Sequence, residues 1–252
     1  PEYDEALKVA MLDETHLYFA ELLKSDLSVS HVVASDFTFV NGRLAKHYGL
    51  AGVSGMEMRR VPLPANLHRG GFLTMASVLK VTANGTNTSP VVRGAWVLDR
   101  ILGKPPAPPP AGVPAVEPDI RGATTIRDQL AKHRSTPTCN TCHAKIDPPG
   151  FALESFDVIG GWRENYRSLG NGKPVTIDGR RMPYAEGKKV DPSDTFEGEK
   201  FASIDELRVI LLKDKDLLAR ALTEKLVTYA TGAAPTALDK ADIEIIVKNA
   251  RD

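Results

Sequence analysis

Apolar residues recur at helical spacing over several stretches, separated by blocks of Gly, Pro and polar residues. Residues 3 to about 25 put Leu7, Met11, Tyr18 and Leu22 on one face, which predicts an amphipathic helix. Ser35-Asp36 are good N-caps. They lead into a second apolar stripe, Phe37, Val40, Leu44 and Tyr48, with Gly49 where a left-handed C-cap would stand. Residues 49 to 71 are rich in Gly and Pro and read as loop. A short apolar segment from Gly71 to Leu79 has no clear period, and Asn84-Gly85 marks a turn. Ser89-Pro90 predicts a third helix, with Val92, Trp96 and Leu98, ending at Gly103. Thr125-Ile126-Arg127-Asp128 has the form of a capping box and opens a short helix bearing Ile126 and Leu130. Residues 168 to 200 are polar and turn-rich, with Asn171-Gly172 and Asp178-Gly179, and read as a hairpin or a loose excursion. A second capping box, Ser203 to Glu206, starts a helix with Leu207, Ile210 and Leu211. Two more helices follow, one with Leu218, Leu222, Leu226 and Tyr229 up to Gly232, the other with Ile243, Ile246, Val247 and Ala250. The pattern as a whole predicts a mainly α fold.

One stretch cannot be helix or central strand. Lys104-Pro105-Pro106-Ala107-Pro108-Pro109-Pro110 is a polyproline tract, so it should be a stiff, extended strap. The irregular connector continues to about Arg121.

The chemistry concentrates in Cys139-Asn140-Thr141-Cys142-His143, the spacing of a c-type haem attachment site. The two cysteines of this run are the chain's complement of 2. Each sulfur would add to a haem vinyl group, forming a thioether bond, and His143 would be the proximal iron ligand. A thioredoxin-like pair expects a βαβ surround, which the pattern lacks. A zinc site needs two further ligands, and neither a second Cys-x-x-Cys nor a His-x-x-x-His occurs. A disulfide across so short a loop would stabilise little. After the run, Asp147-Pro148-Pro149-Gly150-Phe151 can complete a pocket. Pro149 would fix the chain against the porphyrin, and a nearby backbone carbonyl would accept the His143 Nδ1–H bond. Phe151 would supply an apolar wall. Trp162 and Arg163 are candidate partners for the haem propionates, or else a core Trp and a surface Arg.

Composition sets few limits on this picture. The 252 residues suffice for one large domain or two small ones. They divide on this reading into a helical N-terminal segment (1–60), a haem-bearing cytochrome segment (61–172) and a C-terminal helical domain (173–252). Basic and acidic side chains balance at 32 each, which argues against nucleic acid as a partner. No apolar run is long enough to span a bilayer. Haem is attached covalently outside the cytoplasm, so the expected location is periplasmic or otherwise extracytoplasmic, and the chain reads as a mature or excised piece of an exported protein.

Several stretches resemble the multidomain c-type cytochromes abundant in planctomycete genomes, which string together domains of unknown function. They are Phe37 to Gly49, Arg69 to Thr74, Thr88 to Gly94, the proline tract, the haem run with Ile146 to Asp157, and Ala219 to Leu226. The resemblance covers most of the chain and implies an exported haem protein, without bringing a known reaction. Family members are longer at the N-terminus and often carry Gln or His where Met75 stands here.

The sixth iron position decides the chemistry. Candidates are Met75, His47, His68 and Met182. Met75 is preferred and His47 is its alternative, because both have apolar neighbours; for His47 the simpler reading is a hydrogen-bonded histidine at the core's edge. The expected fold is thus a cytochrome-c-like segment with one covalent haem c (heme c), flanked by helical N- and C-terminal pieces. The expected function is electron transfer to a redox partner protein. The alternatives are a haem peroxidase or oxidase with an open sixth position, and a structural or assembly module associated with other chains or domains.

Overall fold

The computed structural model describes residues 2–108, 124–177 and 179–250. Pro109-Pro110, the rest of the irregular connector to Arg121, and Asp178 of the expected turn lie outside the described residues. Asp4 opens α1 (Glu5–Lys24) by accepting the Leu7 amide at 2.8 Å. The buried face of α1 is the predicted stripe, Leu7, Met11, Tyr18 and Leu22, with Ala10 and one acid, Glu14, among them.

The predicted second helix is half strand. Phe37–Val40 forms β1, antiparallel to β2 (Arg59–Pro62). Helix α2 (Gly42–Tyr48) begins only after Asn41, whose side chain accepts the Leu44 amide. The sequence Phe-Thr-Phe-Val is aromatic and β-branched, so it favours a strand once a partner is at hand. That partner lies inside the stretch read as loop. Gly49 does close α2 in the left-handed region, at φ 74°.

Helix α3 (Ala76–Val81) follows, then α4 (Pro90–Trp96), capped by Ser89. A π-helical turn, Val97–Ile101, continues α4 towards Gly103. The Thr125–Asp128 capping box is present and starts α5 (Ile126–Arg134). Helix α6 (Pro137–Ala152) carries the Cys-x-x-Cys-His run. Next, β3 (Asn165–Ser168), β4 (Lys173–Ile177) and β5 (Arg180–Lys189) form a sheet in the order β3-β5-β4. A hairpin joins β6 (Asp194–Phe196) to β7 (Glu199–Phe201). Its two turn residues, Glu197 (φ 49°) and Gly198 (φ 86°), are both left-handed, the geometry that matches strand twist in a tight hairpin. Helices α7 (Ile204–Leu211), α8 (Lys215–Thr231) and α9 (Lys240–Asn249) complete the chain.

The protein is about half helical, and its described residues form three small antiparallel sheets. The expectation of a mainly α, cytochrome-c-like fold is therefore corrected. Helical periodicity was legible, but short strands of mixed polarity such as Lys173–Ile177 carry no clean alternation to announce them.

The largest apolar core draws on segments far apart in sequence. Val32, Leu73, Val97, Ile146, Phe156, Phe196, Leu207 and Leu218 all belong to it. Its axis is the crossing of α4 and α6, where Gly94 and Gly150 let the two backbones touch. A Cβ on Gly94 would lie 1.7 Å from the Ile146 carbonyl oxygen, and one on Gly150 would lie 1.8 Å from that of Pro90. The contact is reciprocal, each glycine presenting a Cα–H to a carbonyl of the other helix.

Candidate functional site

Helix α6 has two halves of opposite character. From Ile146 to Ala152 every residue is buried, whereas from Pro137 to Lys145 the side chains are exposed or half-buried. Pro137 stands at the helix start, where its missing N–H costs nothing. Pro148 and Pro149 remove two further N–H donors from the interior. The carbonyls this frees belong to Ala144 and Lys145, both exposed, so water can satisfy them.

On the exposed half, Cys139 and Cys142 are one turn apart, which puts both sulfurs on neighbouring parts of one face. Both are free thiols, Cys139 half-buried and Cys142 exposed. His143 follows with its side chain 16% exposed. Its Nδ1 lies 2.9 Å from Oδ1 of Asp147, one turn on. The expected acceptor was a backbone carbonyl; the helix instead supplies a carboxylate at i+4. Asp147 is fully buried, and its Oδ2 has no hydrogen-bond partner among the described residues. Burial raises its pKa, while the His143 bond works in the opposite direction. With Nδ1–H donated to Asp147, the lone pair of His143 resides on Nε2.

Two features flank the run. Cys142 borders a cavity of about 620 Å³ walled by Leu98, Pro105, Pro106, Ala144, Ile146 and Phe196. The described start of the proline strap is thus one wall of a mainly apolar space beside a thiol. On the other side, the His143 ring meets His133, in the last turn of α5, edge to face at 4.8 Å between centroids. Helix α5 is itself held. Ile126 and Leu130 pack on Phe151, Arg127 lies over the Phe151 ring at 3.8 Å, and Arg134 reaches Asp194 at 3.4 Å.

The remaining expected residues are not gathered at the thiols. Pro149 and Phe151 lie on the buried half of α6. Trp162 is stacked on His68 at 4.4 Å and donates from Nε1 to Glu164. Arg163 is committed to Glu154, through Nε to its carbonyl at 2.8 Å and through Nη2 to its carboxylate at 3.1 Å. Met75 is packed in a cluster with Tyr18, Leu22, Phe37 and Val78. His47 donates from Nε2 to the Ile159 carbonyl at 2.8 Å. His68 pairs through Nδ1 with Asp205. Met182 is half-buried on β5. A separate cavity of about 480 Å³, whose lining includes Asp157, Arg163, Tyr166 and Arg167, contains neither cysteine nor His143.

The residues that sequence reasoning missed are charged and buried. Arg93, wholly buried on α4, donates to the Leu153, Phe156 and Asp157 carbonyls at 2.7, 2.7 and 2.8 Å and to Glu154 at 3.3 Å. Its bond to Leu153, the C-cap residue, satisfies a carbonyl at the end of α6, and the other two backbone bonds fix the chain that follows. Burial lowers its pKa to about 10, yet Glu154 beside it supports the charge. Glu154 also accepts Thr88 Oγ1 at 2.7 Å. Sequence offered one signal for the thiol end: Asp147 stands four residues after His143, on the same helical face.

Three family models match the sequence, each described as a protein of unknown function. They cover residues 1–50 (DUF1592), 69–166 (DUF1588) and 197–252 (DUF1585). The chain carries these three domains in tandem. Such domains are associated with cytochrome-c-like multidomain proteins. No curated protein and no solved structure matches the sequence. The DUF1588 stretch holds α4, α5, α6, the thiols, and the Arg93–Glu154 network. The DUF1585 stretch begins in the β6–β7 turn and supplies α7, which packs on the same core through Ile204, Leu207 and Leu211.

Proposed function

We propose that the protein is a mono-haem c-type cytochrome working in electron transfer outside the cytoplasm. The observation that supports this reading is the donor set on α6. Two free thiols stand one turn apart, and the next residue is a histidine whose Nδ1 is held and whose Nε2 is free to ligate. The exposure of that half-helix leaves room for an attachment enzyme and for the porphyrin edge. The haem would supply an iron that takes up and gives back one electron.

The chain's own residues divide the remaining work. Cys139 and Cys142 would anchor the group, and His143 would be its proximal ligand. Asp147 fixes the imidazole tautomer and makes Nε2 a stronger donor. Leu98, Ile146 and Phe196 offer an apolar wall next to Cys142 that would keep water from one face. The buried half of α6, clamped by Arg93 and Glu154, keeps the attachment half from drifting.

The decisive experiment is intact mass spectrometry of the denatured protein after expression with a haem-attachment system. One haem of added mass, lost in Cys139→Ala/Cys142→Ala, is expected. A chain of unmodified mass, or one that carries only a Cys139–Cys142 disulfide, refutes the reading.

A further inference from the structure

The geometry points to a binding site for a small organic oxyanion in the cavity of about 480 Å³ walled by β3, β5 and the start of α5. The site stands independently of the haem reading, because neither cysteine nor His143 lines it. Its volume is that of a small-molecule pocket, about 300–1,000 Å³. The family descriptions give it no ligand.

The class of ligand follows from the hydrogen-bonding groups left over on the wall. Its described carboxylates are already engaged. Asp157 accepts the Ile159 and Gly161 amides on Oδ1, at 2.9 and 2.8 Å, and Arg167 on Oδ2 at 3.2 Å. Glu2 accepts both Nη atoms of Arg167, at 2.7 and 3.2 Å. The cations are not used up. Glu154 and Thr88 take Nε and Nη2 of Arg163, which leaves Nη1 without a partner among the described residues. Lys188 Nζ is 3.9 Å from Asp128, beyond hydrogen-bond reach. The side chains of Thr86 and Asn87 add a hydroxyl and an amide that make no hydrogen bond to a described residue; only their backbone amides are bonded, to Asn84. A wall with spare charged donors and engaged acids suits a group that only accepts, a carboxylate or a phosphate. The Arg163 fork is held in advance, with Glu154 behind it and the Tyr166 ring 4.7 Å away, so it loses little freedom on binding. Ile126, Val158 and Ile159 line the same cavity and offer apolar surface to the ligand's body, which favours an organic acid over a bare ion.

The test titrates the full chain with benzoate, phenyl phosphate, inorganic phosphate and uncharged benzyl alcohol, followed by saturation-transfer NMR and calorimetry. Benzoate or phenyl phosphate should bind with a Kd below about 1 mM, the tighter of the two naming the head group, and benzyl alcohol about tenfold more weakly. Arg163→Lys and the exposed Lys188→Ala should each weaken the organic oxyanions about tenfold, the loss of one charge-assisted hydrogen bond, with circular dichroism unchanged. Thr86→Trp, on an exposed turn, should fill the cavity and abolish binding without touching a charge. Cys139→Ala/Cys142→Ala should bind as the wild type does. The assignment is overturned if neither organic oxyanion binds at millimolar concentration, or if benzyl alcohol or inorganic phosphate binds as tightly as they do. It is equally overturned if Thr86→Trp leaves their affinity unchanged, or if the cysteine variant loses it.

Discussion

Alanine in place of glycine inside an exposed stretch of helix ordinarily stabilises it, by about 0.5–1 kcal/mol. At Gly94 and Gly150 the structure reverses that sign. The new methyl carbon would lie 1.7 Å from the Ile146 oxygen or 1.8 Å from the Pro90 oxygen, and the obstacle in each case is backbone. The two helices must part by roughly an ångström, as real carbon–oxygen contacts hold to about 3 Å, and overpacking of this kind costs about 1–3 kcal/mol. Parting also stretches the Arg93 bonds to the Leu153, Phe156 and Asp157 carbonyls, each at 2.7–2.8 Å. Hydrogen bonds to a charged group are worth about 1.5–3 kcal/mol each. After the propensity gain is deducted, Gly94→Ala and Gly150→Ala should each lose about 3 kcal/mol. Urea unfolding followed by circular dichroism measures this directly. Because one separation relieves both clashes, the double variant should cost less than the sum of the singles. A neutral or stabilised Gly94→Ala protein would refute the backbone contact, and with it the account of how α6 is fixed.

Two further outcomes follow from buried carboxyls. Glu14 accepts Thr38 Oγ1 and Tyr48 Oη, both at 2.6 Å, and burial pushes its pKa up to about 7 from 4.5. The folded state therefore holds a proton that the unfolded state has lost. Its contribution is complete below about pH 4.5 and is lost as pH rises through about 7, a span worth about 3 kcal/mol. Unfolding free energies measured across that window should fall more steeply in the wild type than in Glu14→Gln, and parallel slopes would refute the shift. For Asp147, the Asn variant keeps an acceptor for His143 but removes the negative charge that favours ferric iron. Spectroelectrochemical titration of the haem-loaded protein should show Asp147→Asn raised by about 59 mV or more, a tenfold change for one electron; an unchanged potential would show that the carboxylate does not reach the iron through His143.

Much of the helical frame was readable, and the reason is local. Thr125, Ser89, Ser203 and Gly49 act within a few residues of themselves, so their chemistry survives whatever packs around them. The strand Phe37–Val40 was misread because its apolar positions fit helical spacing as well as extended chain. Only its partner Arg59–Pro62, some twenty residues on, decides between them. The Cys139–His143 run can be picked out by spacing alone, and the structure adds that it lies on the exposed half of α6. The role of Arg163 cannot, since an arginine near a haem motif suits a propionate as well as a buried glutamate. What commits it is Glu154, nine residues earlier in sequence and adjacent only once α6 has ended and the chain has turned back. The placement of His133 was not legible for a similar reason. Its ring meets His143 because α5 and α6 are joined by a two-residue link, a tertiary fact that no periodicity records.

The segment from Ile146 to Asp157 shares the family likeness of the haem run, yet its chemistry is largely structural. Asp147, Glu154 and Asp157 are all buried; Glu154 pairs with Arg93 inside the core and Asp157 with the partly exposed Arg167. This arrangement explains how an exposed, proline-broken helix can still hold a ligand in a fixed direction. Removing the Pro148 and Pro149 donors weakens α6 where its two halves meet, so backbone hydrogen bonding alone would let them bend. Gly150 against Pro90 and Arg93 on the Leu153 carbonyl clamp one half from the side and from the end. Asp147 sits at the junction, with its carboxylate in the clamped half and its hydrogen bond reaching back to His143 in the free half. Any force that tilts the exposed thiol-bearing half must stretch that bond. The direction of Nε2 is therefore set by the core and not by the solvent-facing turn that carries the imidazole; on the proposed haem reading, a ligand so aimed would need little reorganisation when the iron changed its charge.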